Sequence, residues 1–73
     1  MIKILLFGQI AEQVGCKSME VASGKSLADI IAEVGYADTY PLLVAVNQEQ
    51  VQDMDYIVQD GDEVALMPPF SGG

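Results

Sequence analysis

Apolar residues fall in short runs whose spacing changes along the chain, and the spacings predict its elements. Ile2, Ile4 and Leu6 share one face of a first strand, with Leu5 and Phe7 on the other. A strand apolar on both sides lies centrally in a sheet, or keeps one side for a partner. Gly8 ends it, and Gln9 to Gly15 is expected to form one helical turn or a loop, with Ile10 and Val14 pointing inwards. From Lys17 to Ala22, Met19 and Val21 alternate with Ser18 and Glu20, which predicts a half-buried second strand.

The period then switches. After the turn Ser23-Gly24-Lys25, Ser26 opens a helix, and Asp29 three positions on completes a variant capping box. Leu27, Ile30, Ile31 and Val34 form one apolar stripe at i, i+3, i+4 and i+7. Gly35 is placed to close the helix in a left-handed cap. A helix with a single apolar stripe must lie on a sheet here, since nothing else in the chain covers it.

Tyr36 to Tyr40 reads as a loop, and Pro41 precedes the apolar run Leu42 to Val46. Asn47 begins a turn, Val51 sits in a short return strand, and Met54 to Val58 is a compact connection. Asp60-Gly61 signals another turn before the last strand, Glu63 to Met67. The order is strand, strand, helix, strand, short strand, strand. That predicts an α+β fold of the β-grasp type, a mixed sheet with one main crossing helix. The first and last strands are expected side by side and parallel, which brings Phe7 near Met67.

The pattern breaks after Met67. Residues 1–67 are read as the folded domain and residues 68–73, Pro68-Pro69-Phe70-Ser71-Gly72-Gly73, as an extended tail. The prolines lack amide hydrogens and cannot extend a ladder in a sheet interior. At full extension six residues reach at most roughly 20 Å. A frayed chain end is one reading of the closing glycines. The other is a slim tip that enters a narrow pocket and offers its carboxylate for chemistry. Phe7, Met67 and Phe70 are in turn either core residues or an exposed apolar patch at the root of the tail.

Composition narrows the second reading. Seventy-three residues with 51% hydrophobic content make one small domain, worth roughly 4–11 kcal/mol by the per-residue rule. One cysteine forms no internal disulfide, and with no histidine a zinc site is not expected. Neither a membrane span nor a secretory signal is legible, so a soluble protein of the cytoplasm is expected. A net charge of −8 repels phosphate backbones, so no nucleic acid is expected as a partner.

Within the domain the candidate chemistry is thin. Asp53, Asp55, Asp60, Asp62 and Glu63 lack the spacing of a calcium loop and read as solvated turn residues. Cys16 has no histidine to activate it and reads as a loop thiol. Gly24-Lys25-Ser26 lacks the upstream glycine of a phosphate-binding loop. What remains is the tail.

The whole chain resembles the small subunits of molybdopterin synthase, a family of ubiquitin-like sulfur carriers. The resemblance is carried by Met1 to Phe7 followed by Gln9, Glu12, Val14 and Gly15. Ala45-Val46-Asn47-Gln48 and Asp60-Gly61-Asp62-Glu63-Val64 add to it, and the double proline before the glycines is its most specific element. It implies that a ubiquitin-activating-type enzyme uses ATP to adenylate the Gly73 carboxylate, and that a sulfur donor enzyme converts the adenylate to a thiocarboxylate. It further implies that Phe7, Met67, Pro68, Pro69, Phe70, Ser71 and Gly72 engage a large synthase subunit, usually in a heterotetramer. Sulfur would then pass to a cyclic pyranopterin, making the dithiolene of molybdopterin in two rounds. The chain itself would bind no cofactor or metal, and the catalytic side chains would be the large subunit's.

Two positions depart from the family pattern. Ala11 stands where the family often has arginine, which weakens or moves any partner contact made there. The stretch between Val34 and Pro41 is also short. Two other assignments share the fold: a sulfur carrier for the thiazole of thiamine, and a ubiquitin-like protein modifier. The paired prolines favour the synthase subunit over the thiazole carrier.

Overall fold

The fold was analysed in a computed structural model that describes residues 1–35 and 42–69. The expected loop Tyr36–Tyr40, Pro41 and the tail residues Phe70, Ser71, Gly72 and Gly73 lie outside the described residues. Seven elements follow in order: β1 (Ile2–Leu6), α1 (Gly8–Val14), β2 (Ser18–Val21), α2 (Leu27–Val34), β3 (Leu43–Val46), β4 (Glu49–Gln50) and β5 (Glu63–Met67). They build a five-stranded sheet in the order β2-β1-β5-β3-β4.

The central pair, β1 and β5, is parallel, with Ile4 opposite Val64 and Leu6 opposite Leu66. β2 is antiparallel to β1, and β3 is antiparallel to β5. Alternation along the strands sends Ile2, Ile4, Leu6, Val64 and Leu66 to one face, where all are buried. Leu27, Ile30 and Val34 of α2 and Ile10 of α1 join the same cluster, so both helices lie on that face. The architecture is the expected α+β mixed sheet with one main crossing helix.

Helix α2 follows its sequence signals closely. Ser26 is the N-cap, and its hydroxyl accepts the Asp29 amide at 3.2 Å. The amides of Leu27 and Ala28 donate to the carbonyls of Tyr56 and Met54, each at 3.0 Å. The helix's first donors are thus taken up by its own chain, and buried Val58 seals that connector against the core. Gly35 closes the helix in the left-handed region, as its position predicts.

Two local expectations are corrected. The stretch after β1 is neither a single turn nor a loop: α1 is a seven-residue helix of about two turns. It lacks a side-chain cap, because Phe7 precedes it, so the usual start signal is missing. Tertiary burial of Ile10 supplies what local chemistry does not. The return strand is Glu49–Gln50, and Val51 lies just past it while its amide still donates to the Val44 carbonyl at 2.9 Å. Asn47 and Gln48, at φ 52° and 72°, make the two-residue turn between β3 and β4.

Candidate functional site

The face of the sheet away from the helices is the candidate docking surface. Phe7 is extended at φ −122° and ψ 152°, so it continues the alternation of β1 and points to this open face. Its amide donates to the Leu66 carbonyl at 3.1 Å, which sets it beside Met67. Phe7 is 46% exposed and Met67 half-buried. The expected proximity of the two therefore holds, and Phe7 is not a core residue.

Strand register widens this patch beyond what the sequence indicated. Met67 pairs with Leu43, and Ala65 pairs with Leu5 on one side and Ala45 on the other. Three neighbouring strands thus place two apolar rows on the open face. Leu5, Ala65 and Leu43 are half-buried, as suits a surface of this kind. Leu43, Ala65 and Ala45 escape a sequence reading because they neighbour Phe7 only through strand pairing. Towards the other end of the strands the same face becomes charged, with Lys3 between Glu20 and Glu63.

The residues that follow β5 border the patch. β5 ends at Met67, and Pro68 and Pro69, both half-buried, carry the chain onwards. The Pro68 ring lies over Gly8, the first residue of α1. Beside this junction an open depression of about 450 Å³ runs between β1 and α1, lined by Phe7, Gly8, Ala11, Glu12 and Lys17 among others. Ala11 sits on its wall.

The carboxylates of Asp53 and Asp62 are engaged in hydrogen bonds at turns. Asp53 accepts the Asp55 amide at 3.0 Å and shapes its own turn. Asp62 accepts from Asn47 Nδ2 and from the Gln59 amide, both at 2.9 Å. Those bonds, the Asn47 one first, hold its carboxyl below the usual aspartate range. Cys16 is a free, half-buried thiol packed against the core cluster. The one atom assigned chemistry by sequence, the Gly73 carbonyl carbon, lies outside the described residues.

A mixed sheet with a crossing helix and a central parallel pair defines a ubiquitin-like β-grasp protein. Residues 4–73 match the ThiS family, and the chain belongs to that family. It is 38% identical over 82 aligned positions, spanning all of both chains, to the molybdopterin synthase sulfur carrier subunit of Escherichia coli. Among solved structures, the complex of subunits 1 and 2 of the molybdopterin-converting factor from Helicobacter pylori superposes with a TM-score of 0.71. That match has 21% identity and covers 99% of this chain and 97% of the other. Small archaeal modifier protein 1 from Methanosarcina acetivorans gives a TM-score of 0.76 at 20% identity, covering 99% and 95%. At those identities the two structures speak to the fold alone. No helix among the described residues is long and apolar enough to cross a membrane.

Proposed function

We propose that this chain is the sulfur carrier subunit of a molybdopterin synthase, working in the cytoplasm with its reactive group at Gly73. The observation that carries the reading is its full-length likeness, at 38% identity, to a subunit of that name. The exposed Phe7 next to the departure point of Pro68 supports it physically. An apolar anchor there and a thin tail beyond it form one continuous surface for a partner.

In this reading an adenylating enzyme joins the Gly73 carboxylate to the α-phosphate of ATP and releases pyrophosphate. The mixed anhydride makes a poor electrophile into a good one. Sulfide-level sulfur from a donor enzyme then attacks the carbonyl carbon, AMP leaves, and a thiocarboxylate remains. The open sheet face docks on the large subunit while Phe70, Ser71 and Gly72 lead the thiocarboxylate into that subunit's active site. The thiocarboxylate sulfur bonds to a carbon of the pyranopterin in place of an oxygen substituent, which leaves. Hydrolysis of the resulting thioester leaves sulfur on the pterin and restores the Gly73 carboxylate. ATP serves the activating enzyme, and this chain holds no cofactor or metal of its own.

Intact mass spectrometry tests the reading. After incubation with an adenylating enzyme, ATP and a sulfur source, the chain should gain about 16 Da at Gly73, oxygen exchanged for sulfur. Isopeptide adducts on lysines of other proteins, with no such gain, would make it a modifier instead. A gain of sulfur followed by delivery to a thiazole precursor, and none to the pterin, would assign it to the thiamine route.

A further inference from the structure

We propose that Gly8 is a positioning residue for the tail: its bare α-carbon is the seat of the Pro68 ring, and that seat aims everything beyond it. The inference deepens the sulfur-carrier reading and rests on it for its kinetic arm. A β-carbon on Gly8 would lie 3.1 Å from Pro68 Cγ and 3.5 Å from Cδ. Unstrained carbon contacts begin at about 3.5 Å, so the ring would have to give by a few tenths of an ångström.

Both sides of this contact are fixed. On one side the Phe7 amide is tied to Leu66, and the Phe7 carbonyl accepts from Ile10 at 3.1 Å, with Ile10 wholly buried. On the other, Met67 is held in the ladder opposite Leu43. Neither backbone yields easily, so a displaced ring is passed on to the residues that follow. Proline adds stiffness, because its φ is set by its ring.

The lever is long. At full extension residues 68–73 reach at most roughly 20 Å, and over that reach a tilt of about 3° at Pro68 amounts to about 1 Å at the far end. Misplacement on that scale costs up to about a hundredfold in rate when a reacting atom must be aligned. Gly8 also stands at φ 56°, where an L-residue is strained on its own account. The two roles are separable, since backbone strain at Gly8 does not depend on what residue 68 is.

The test compares Gly8→Ala, Pro68→Ala and the double variant as thiocarboxylated chains in single-turnover sulfur transfer to the pyranopterin in the presence of the large subunit. Gly8→Ala should lower the rate constant by about tenfold or more, with the Kd for the large subunit changed less. In the Pro68→Ala background the added methyl meets no ring, so the double variant should be no slower than Pro68→Ala alone. The backbone strain should lower the melting temperature in both backgrounds, with the ring contact adding to that loss only where Pro68 is present. A wild-type rate for Gly8→Ala, or an equal fold-loss in both backgrounds, overturns the proposal. If Gly8→Ala does not fold, Pro68→Ala alone decides: an unchanged transfer rate refutes the seat. Nuclear Overhauser contacts between the Gly8 α-protons and the Pro68 ring check the geometry without any sulfur chemistry, and their absence also refutes it. Should the wild-type chain transfer no sulfur, the carrier reading falls and these contacts still decide for or against the seat.

Discussion

Asn47 and Asp62 clasp each other at the end of the sheet opposite the tail: Asn47 Nδ2 donates to Asp62 Oδ1 at 2.9 Å. The other carboxylate oxygen accepts the Gln59 amide at 2.9 Å, and Asn47 Oδ1 accepts the Glu63 amide at 3.0 Å. Two turns that are remote in sequence are thereby fastened to the start of β5. These bonds favour the ionised carboxylate, so Asp62 titrates lower in the folded chain than in the unfolded one. The unfolded chain then binds the proton more readily. Asp62 contributes its stabilisation above the ordinary aspartate pKa of about 3.9 and loses it as pH falls through the lowered folded value. Asp62→Asn should therefore melt at a lower temperature at neutral pH and show a flatter decline below about pH 4. Melting profiles of the two proteins that stay parallel down to pH 2 would remove Asp62 as a source of acid sensitivity.

Gln48 adopts φ 72° in the turn between β3 and β4, a region where a long side chain has no advantage over glycine. Asn-Gly is the favoured pair for this two-residue turn. Gln48→Gly is expected to raise stability by up to about 1 kcal/mol, the strain relieved being partly offset by glycine's greater freedom when unfolded. Gln48 is exposed, so no buried contact is lost. Urea unfolding is the measurement, and a lower midpoint for Gln48→Gly would show that the turn is not strained.

What could be read from the chain divides at the point where local pattern ends. Helix α2 and strand β5 agree with the sequence, because cap, stripe and alternation are all short-range signals. Helix α1 has a weak local signature, since it begins without a side-chain cap and has Ile10 as its buried residue. Strand β4 has no local signature, because Glu49 and Gln50 are both exposed and carry no alternation. Phe7 and Met67 could be brought together from topology alone. The apolar row through Ala65, Leu5 and Ala45 needed the register of three strands. Nor does any local pattern announce that Gly8 and Pro68 touch, sixty positions apart.

Phe7 separates docking from folding. A phenylalanine in a core costs about 3–5 kcal/mol when cut to alanine, through lost burial and the cavity left behind. At 46% exposure Phe7 leaves no closed cavity, and its removal should cost less than about 1.5 kcal/mol. If the open face docks on the large subunit, the same residue is desolvated there and becomes an anchor. Phe7→Ala should then weaken that complex by about 2 kcal/mol, roughly thirtyfold in Kd. Calorimetric titration together with a urea melt gives both numbers. A large loss of stability with unchanged affinity would return Phe7 to the core and leave the face without its anchor.

The tail makes the strictest demand, because in the carrier reading position, and not only residue type, defines the reactive group. Deleting Gly73 withdraws the carboxylate by one residue, about 3.5 Å along an extended chain. Adding a residue after it leaves every native side chain in place but turns the Gly73 carbonyl into an amide, which cannot be adenylated. The two changes disturb length in opposite directions, so a single steric explanation cannot cover both. Since β5 ends at Met67, neither variant touches the sheet, and both should melt as the wild type does. Both should also fail to acquire sulfur when given an adenylating enzyme, ATP and a sulfur source. Sulfur transfer retained by either variant would place the reactive atom elsewhere. The free thiol of Cys16, half-buried against the core, would then be the first group to examine.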